Sequence, residues 1–162
     1  MVMRMATKKF QTLNAYYDYI NKQLESCMKE VGRQLRDEMK DYLFQKWYKA
    51  YTPEEYNRTF NLLDSIEFEL LKTGNTVAVK VGYNTDLIKP EYDEYSYWNQ
   101  HMSMDGQDVS DVLPYYIEFG NGKNLYYRYD GIGVLEYMRK YMEDNATVKL
   151  ATLLHLKGIK IG

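Results

Sequence analysis

The sequence predicts an α+β fold: a long N-terminal helix and a C-terminal helix packed on a small antiparallel β-sheet, with a long inserted loop or arm. Three observations carry that reading. Apolar residues recur at spacings of three and four from Phe10 to Trp47, they alternate singly across two short runs joined by a glycine turn, and between residues 84 and 110 periodicity stops. At 162 residues the chain has the ordinary length of one domain. A single unit over 1–162 is therefore expected, with an N-terminal arm (1–9), the long helix (10–48), a helix plus β-hairpin (52–82), the inserted loop (84–110), and a short helix, strand and C-terminal helix (111–162).

In the first helix the apolar positions are Leu13, Tyr17, Ile20, Leu24, Cys27, Val31, Leu35, Met39, Tyr42 and Leu43, which share one face. The other face carries opposed charges at i,i+4, such as Glu25/Lys29 and Arg33/Asp37. A helix of roughly 35 residues is on the order of 50 Å long, more than a body of this mass covers. Part of it is expected to project with an apolar stripe in need of a partner. The competing arrangement is a helix bent at Gly32 and wrapped on its own sheet. Cys27 lies on the stripe and reads as a small buried hydrophobe.

Thr52-Pro53-Glu54-Glu55 supplies a capping threonine, a proline suited to the first helical position and a glutamate that can complete a capping box. A second helix should begin there and run through Tyr56, Phe60 and Leu63. After Asp64, Ile66, Phe68 and Leu70 alternate with Glu67 and Glu69, Thr73-Gly74-Asn75 makes a turn, and Val77, Val79 and Val81 form the returning strand. The segment from 84 to 110 carries Tyr92, Tyr95, Tyr97 and Trp98 among carboxylates. Loops of that length in compact domains are usually functional or disordered; its aromatics argue against permanent disorder and favour ordering against a neighbouring subunit, where they would act as interface anchors.

Pro114 opens a short helix or turn through Tyr115, Tyr116, Ile117, Glu118 and Phe119, and Gly120-Asn121-Gly122 stops it. Tyr126, Tyr127 and Tyr129 suggest a third strand. Leu135, Met138 and Met142 keep helical spacing from Ile132 to Asp144, and Lys149 to Leu156 continues the pattern after a break expected at Asn145. Gly158 to Gly162 reads as a terminal strand or tail.

A search for chemistry returns no catalytic pattern, and the reading is of a protein that is not an enzyme, with no cofactor. His101 and His155 have no second His or Cys at ligand spacing, so each is read as structural. Asp105, Asp108 and Asp111 lack the glycine and terminal glutamate of a calcium loop. Gly120-x-Gly122 and Gly131-x-Gly133 have no Lys-Ser/Thr follow-up and read as turns rather than a phosphate cradle. No Gly-x-Ser-x-Gly elbow is present. The net charge of -2 offers no positive excess for neutralising phosphates. The basic candidates Lys22, Lys29, Arg33, Arg36 and Lys40 are interleaved with Glu25, Glu30, Asp37 and Asp41. Neither an export signal nor a membrane span is read, and synthesis in the cytoplasm is expected. Tyrosine is the outlier, 18 against 5 phenylalanines; it suits half-buried positions and partner surfaces alike.

Two segments remain unexplained by any of this. In the first, Tyr51, Pro53, Tyr56, Arg58, Thr59, Leu62 or Leu63, Ser65 and Ile66 follow a Tyr-x-Pro-x-x-Tyr-x-Arg-Thr-x-x-Leu-x-x-Ser-Ile type stretch; in the second, Tyr116, Glu118, Phe119 and Gly120 follow a Tyr-x-Glu-Phe-Gly type stretch. In these, and in the order of elements around them, the chain resembles the tail-completion, or head-tail joining, proteins of long-tailed bacteriophages. It departs from that pattern in the 84–110 insertion and in lacking a Pro-Arg-Pro-Phe type segment after the glycine. The resemblance implies a structural virion protein of the neck or tail, assembled in the host cytoplasm as a homo-oligomeric ring, expected to be a hexamer. Its implied partners are tail tube or tail terminator proteins and head-tail connector proteins, with DNA passing through the lumen without specific binding and no membrane. Tyr51, Pro53, Tyr56, Arg58, Thr59, Tyr116, Glu118, Phe119 and Gly120 then become interface residues beside Tyr92, Tyr95, Tyr97 and Trp98. Arg58 and Glu118 are either a charge pair, within or between subunits, or two unrelated surface charges. The competing functions are an interaction module outside this role and, less favoured, a DNA-contacting protein.

Overall fold

The computed structural model describes residues 9–50, 60–74, 76–88, 112–120 and 130–160. They form the expected α+β arrangement: helix α1 (Leu13–Leu43), a π-helical turn (Phe44–Tyr48), helical turn α2 (Asn61–Asp64), strands β1 (Ile66–Thr73) and β2 (Thr76–Tyr83), a 3-10 turn (Thr85–Leu87), helix α3 (Leu113–Phe119) and helix α4 (Val134–Leu156).

Helix α1 begins where Thr12, in extended conformation, accepts the Ala15 amide on its hydroxyl at 3.1 Å. Its buried residues Cys27, Val31, Leu35, Met39 and Leu43 follow one another at intervals of four. Each step of four turns about 40° around the axis, so the row winds across the helix and faces more than one neighbour. The neighbours are α4 and the hairpin, and both pack on α1. Helix α4 runs antiparallel to α1: Tyr137 bonds Glu38, Lys149 approaches Gln34 at 3.4 Å and Lys157 reaches Ser26 at 3.0 Å.

The hairpin pairs Ile66 with Tyr83, Phe68 with Val81 and Leu70 with Val79, placing an apolar face on α1, while Glu67, Glu69 and Lys80 are exposed. A two-stranded hairpin is marginal alone and takes its stability from such packing. Gly32 allows the close approach, because a Cβ there would lie 2.5 Å from the Phe68 ring. Its role is thus to admit a neighbour. The core closes with Leu62, Ile66, Ile88, Ile117, Val134 and Met138 around Val31 to Leu43.

Two expectations are corrected. The helix drawn through Tyr56, Phe60 and Leu63 does not run through Phe60, whose φ of 59° is left-handed; α2 starts at Asn61, and residues 51–59 lie outside the described residues. A non-glycine residue there is strained, and Phe60 is held by stacking on Tyr48 at 4.8 Å and Phe44 at 6.5 Å. The break at Asn145 is absent, since α4 is continuous and the Asn145 amide donates to the Tyr141 carbonyl of its own helix at 2.9 Å. Of the strand or tail expected from Gly158, residues 158–160 are a tail: Gly158 at φ 77° ends α4, with the Ile159 amide returning to the Leu154 carbonyl at 2.9 Å. The third strand through Tyr126, Tyr127 and Tyr129 and the 84–110 arm from residue 89 to 110 lie outside the described residues.

Candidate assembly surfaces

Helix α3 carries the second of the two unexplained segments. Pro114 sits in its first turn and Ile117 is fully buried, which turns Tyr115 and Phe119 outward at 60% and 66% exposure with ring centres 4.7 Å apart. Val112, just before the helix, and Leu135, at the start of α4, are also exposed. In helical projection Val112, Tyr115 and Phe119 fall within about 60° of one another. Together with Leu135 they form an apolar patch on a corner of the molecule.

That corner is held by Glu118. Its two carboxylate oxygens accept the amides of Leu135 at 2.8 Å and Glu136 at 3.3 Å, the first turn of α4. The residue preceding α4 is Gly133, with φ 59° and no side chain to cap the helix. Glu118 therefore supplies a cap from a distant part of the chain and sets its negative charge at the positive end of the helix dipole. Gly120 ends α3 at φ 81°, its amide bonded to the Tyr116 carbonyl at 2.7 Å, and bridges Asp130. Gly131 lies so close that a Cβ would approach the Glu118 carbonyl to 2.1 Å. Ile132 completes the clasp by donating to the Ile117 carbonyl at 2.8 Å.

Behind the corner, tyrosines join α1 to α4. Tyr42 stacks on Tyr137 at 3.9 Å and donates to the Ile132 carbonyl at 2.9 Å. Tyr137 donates to Glu38 at 2.5 Å, and that bond, ahead of burial, pushes its phenol up to about 12. The Tyr83 hydroxyl is buried without a hydrogen-bond partner among the described residues, and burial first, then the nearby Glu118 and Tyr48, raise its phenol above the ordinary range.

The other surface is the start of α1. Residues 11–18 are exposed throughout, including Leu13 at 65% and Tyr17 at 55%. Phe10 packs edge-on against Tyr16 at 5.3 Å and at a tilt against Tyr19 at 5.2 Å, so the helix begins in an aromatic cluster. Leu13, Tyr17, Ile20 and Leu24 continue the face that is buried from Cys27 onward. The reason is geometric: α4 ends beside Ser26, and Lys72 of the hairpin reaches only to Glu25, at 2.7 Å.

Of the residues assigned to an interface from sequence, Tyr116, Glu118, Phe119 and Gly120 come together on α3. Tyr51, Pro53, Tyr56, Arg58, Thr59, Tyr92, Tyr95, Tyr97 and Trp98 lie outside the described residues, as does His101. Sequence reasoning missed the cap made by Glu118, though a signal existed: no Ser, Thr, Asp or Asn stands immediately before Val134, so α4 needed an acceptor from elsewhere. It also passed over Leu135 and Val112.

Four of the five basic residues in the row on α1 meet carboxylates. Lys29 meets Glu25 at 3.5 Å, Arg33 meets Glu30 at 2.6 Å and Asp37 at 3.2 Å, Arg36 meets Asp37 at 2.7 Å, and Lys40 meets Asp64 at 3.8 Å. Arg33, followed by Gln34, holds the Glu30 carboxyl down to about 2. Cys27 is fully buried and burial raises its thiol. His155 is exposed at the last turn of α4, not enclosed in the apolar run around it. Among the described residues no cluster of three metal-ligating side chains occurs, and no helix is long and apolar enough to cross a membrane.

A family model described as YomN matches residues 9–152 of the chain. No curated protein matches, and no solved structure matches.

Proposed function

The chain belongs to the YomN family, and from that premise we propose that it is a structural virion protein of a phage neck or tail, assembling as a ring that completes the tail and joins it to the head connector. A phage association of the family supports the phage part of this reading. The resemblance of the two segments to tail-completion proteins supports the neck. The observation that carries assembly is the uncovered start of α1, where an apolar face continues in register past the last residues that cover it. Monomers seldom leave such a face open without a partner. The matched charges on α1 favour protein contacts over a phosphate backbone, since cations already bonded to carboxylates have less to offer DNA.

Negative-stain images of the purified protein, alone and mixed with tail tubes, test the proposal. Closed rings that dock on tube ends are the expected result. A protein that remains monomeric at high concentration and ignores both tubes and connectors would overturn it.

A further inference from the structure

The hairpin has two long edges and only two strands. Among the described residues no third strand pairs with either edge, and the ladder runs without a bulge from the Ile66–Tyr83 pair to the Thr73–Thr76 pair. Each strand has eight residues and no proline. Proteins usually blunt such edges by keeping them short, bulged or proline-bearing, and β1 and β2 use none of these devices.

The register fixes what the edges offer. In an antiparallel ladder alternate pairs exchange hydrogen bonds, and the Asn84 amide, donating to the Ser65 carbonyl at 2.7 Å, sets the phase. Glu67, Glu69, Leu71 and Thr73 therefore bond inward to Gly82, Lys80, Ala78 and Thr76. Phe68, Leu70 and Lys72 turn their amides and carbonyls away from β2, as Val77, Val79 and Val81 turn theirs away from β1. A row of such groups is completed by another strand.

The solvent side of the hairpin indicates which strand. On β1 it carries Glu67 and Glu69; on β2 it carries Lys80 beside Thr76, Ala78 and Gly82. Glu69 and Lys80 stand opposite each other, yet neither enters an ion pair with a described residue. Two β1 edges joined about a two-fold axis would set Glu67 and Glu69 against their own copies, and like charges directly opposite destabilise a sheet. A β1 edge beside a β2 edge sets them instead against Lys80 and small neutral residues. Direction fits as well: because β1 and β2 are antiparallel, β1 of one copy beside β2 of the next continues the alternation with α1 on the same side of every hairpin. Such a contact is head-to-tail and closes into a ring where the rotation permits.

Resting on the ring reading above, we propose that the hairpin is a joint between copies, β1 of one subunit pairing with β2 of the next in a continuous antiparallel sheet. A second copy is the occupant because one hairpin holds both complementary edges, matched in strand direction and in charge.

Charge variants of the full chain test the joint by light scattering. Lys80→Glu makes both edges acidic, and Glu67→Lys with Glu69→Lys makes both basic. Each variant alone is expected to raise the concentration for half-assembly about tenfold, and a 1:1 mixture to restore the parent value, the two forms alternating. Either variant assembling like the parent, or a mixture no better than its components, overturns the joint. Hydrogen exchange on the parent chain tests it without a variant. The amides of Phe68, Leu70, Lys72, Val77, Val79 and Val81 are expected to exchange fast in the dilute monomer and about a hundredfold slower in the assembly. Slow exchange already in the monomer means that the chain covers its own edges, and fast exchange in the assembly places the contact elsewhere; both overturn the joint and leave the ring reading intact. A parent chain that stays monomeric overturns both.

Discussion

The two halves of α1 share a spacing and differ in surroundings. From Cys27 to Leu43 the apolar face lies under α4 and the hairpin and is almost sealed from water; from Leu13 to Leu24 the same face is exposed or half-buried. Helix propensity and hydrophobic pattern do not distinguish them. What does is where the covering elements stop: α4 has 23 residues against 31 in α1 and ends beside Ser26. The boundary between the buried and the exposed half of the helix is thus set by the length of a second helix more than 100 residues away in the chain.

Substitutions along α1 should map that boundary. Met39→Ala, in the sealed half, empties a site that is 1% exposed and is expected to lose about 2–5 kcal/mol of folding stability in a denaturant titration. Gly32→Val comes next, because the Phe68 ring must be pushed aside. A loss of about 1–3 kcal/mol is expected, and Phe68→Leu should recover part of it. Glu118→Ala leaves the α4 amides without their acceptor and should cost about 1 kcal/mol, while Glu118→Gln keeps an acceptor and loses less.

Smaller effects come from the charged face. Glu30 titrates lower in the folded chain than unfolded, so its contribution is present above the unfolded carboxylate value and fades as pH falls from about 4.5 toward about 2. The pair is largely exposed, so the drop should be a few tenths of a kcal/mol, and Glu30→Gln should abolish it. Smallest of all, Leu13→Ala and Tyr17→Ala should move monomer stability by no more than about 0.5 kcal/mol. If either destabilises the monomer as Met39→Ala does, the exposed half is part of the core and the comparison fails.

Much of the fold is legible in the residues because it is local. Three-and-four spacing marks α1, single alternation marks the hairpin, and Gly74 at φ 57° marks its turn. Features that depend on distant contacts are not legible. Phe60 fits a helical pattern, yet aromatic stacking holds it left-handed, and Asn145 resembles a breaker until its amide is seen bonded within the helix. At the candidate site, Glu118 stood out as a charge in need of a partner. Reasoning by residue type offered the Arg58 guanidinium, which lies outside the described residues, and missed the two backbone amides that the structure places on Glu118, because amides carry no side-chain signature. Tyr115 and Phe119 were visible as aromatics, but their exposure follows from Ile117 being the side turned inward.

The start of α1, from Leu13 to Ser26, is about 20 Å long. A rigid rod of that length acts as a lever: a tilt of about 5° where it leaves the body carries its tip through roughly 2 Å. If the proposed assembly forms through the tip, that contact would follow modest changes in the spacing of neighbouring copies without disturbing the core beneath Cys27. An assembly built this way would adjust its diameter by pivoting its helices rather than by repacking its subunits.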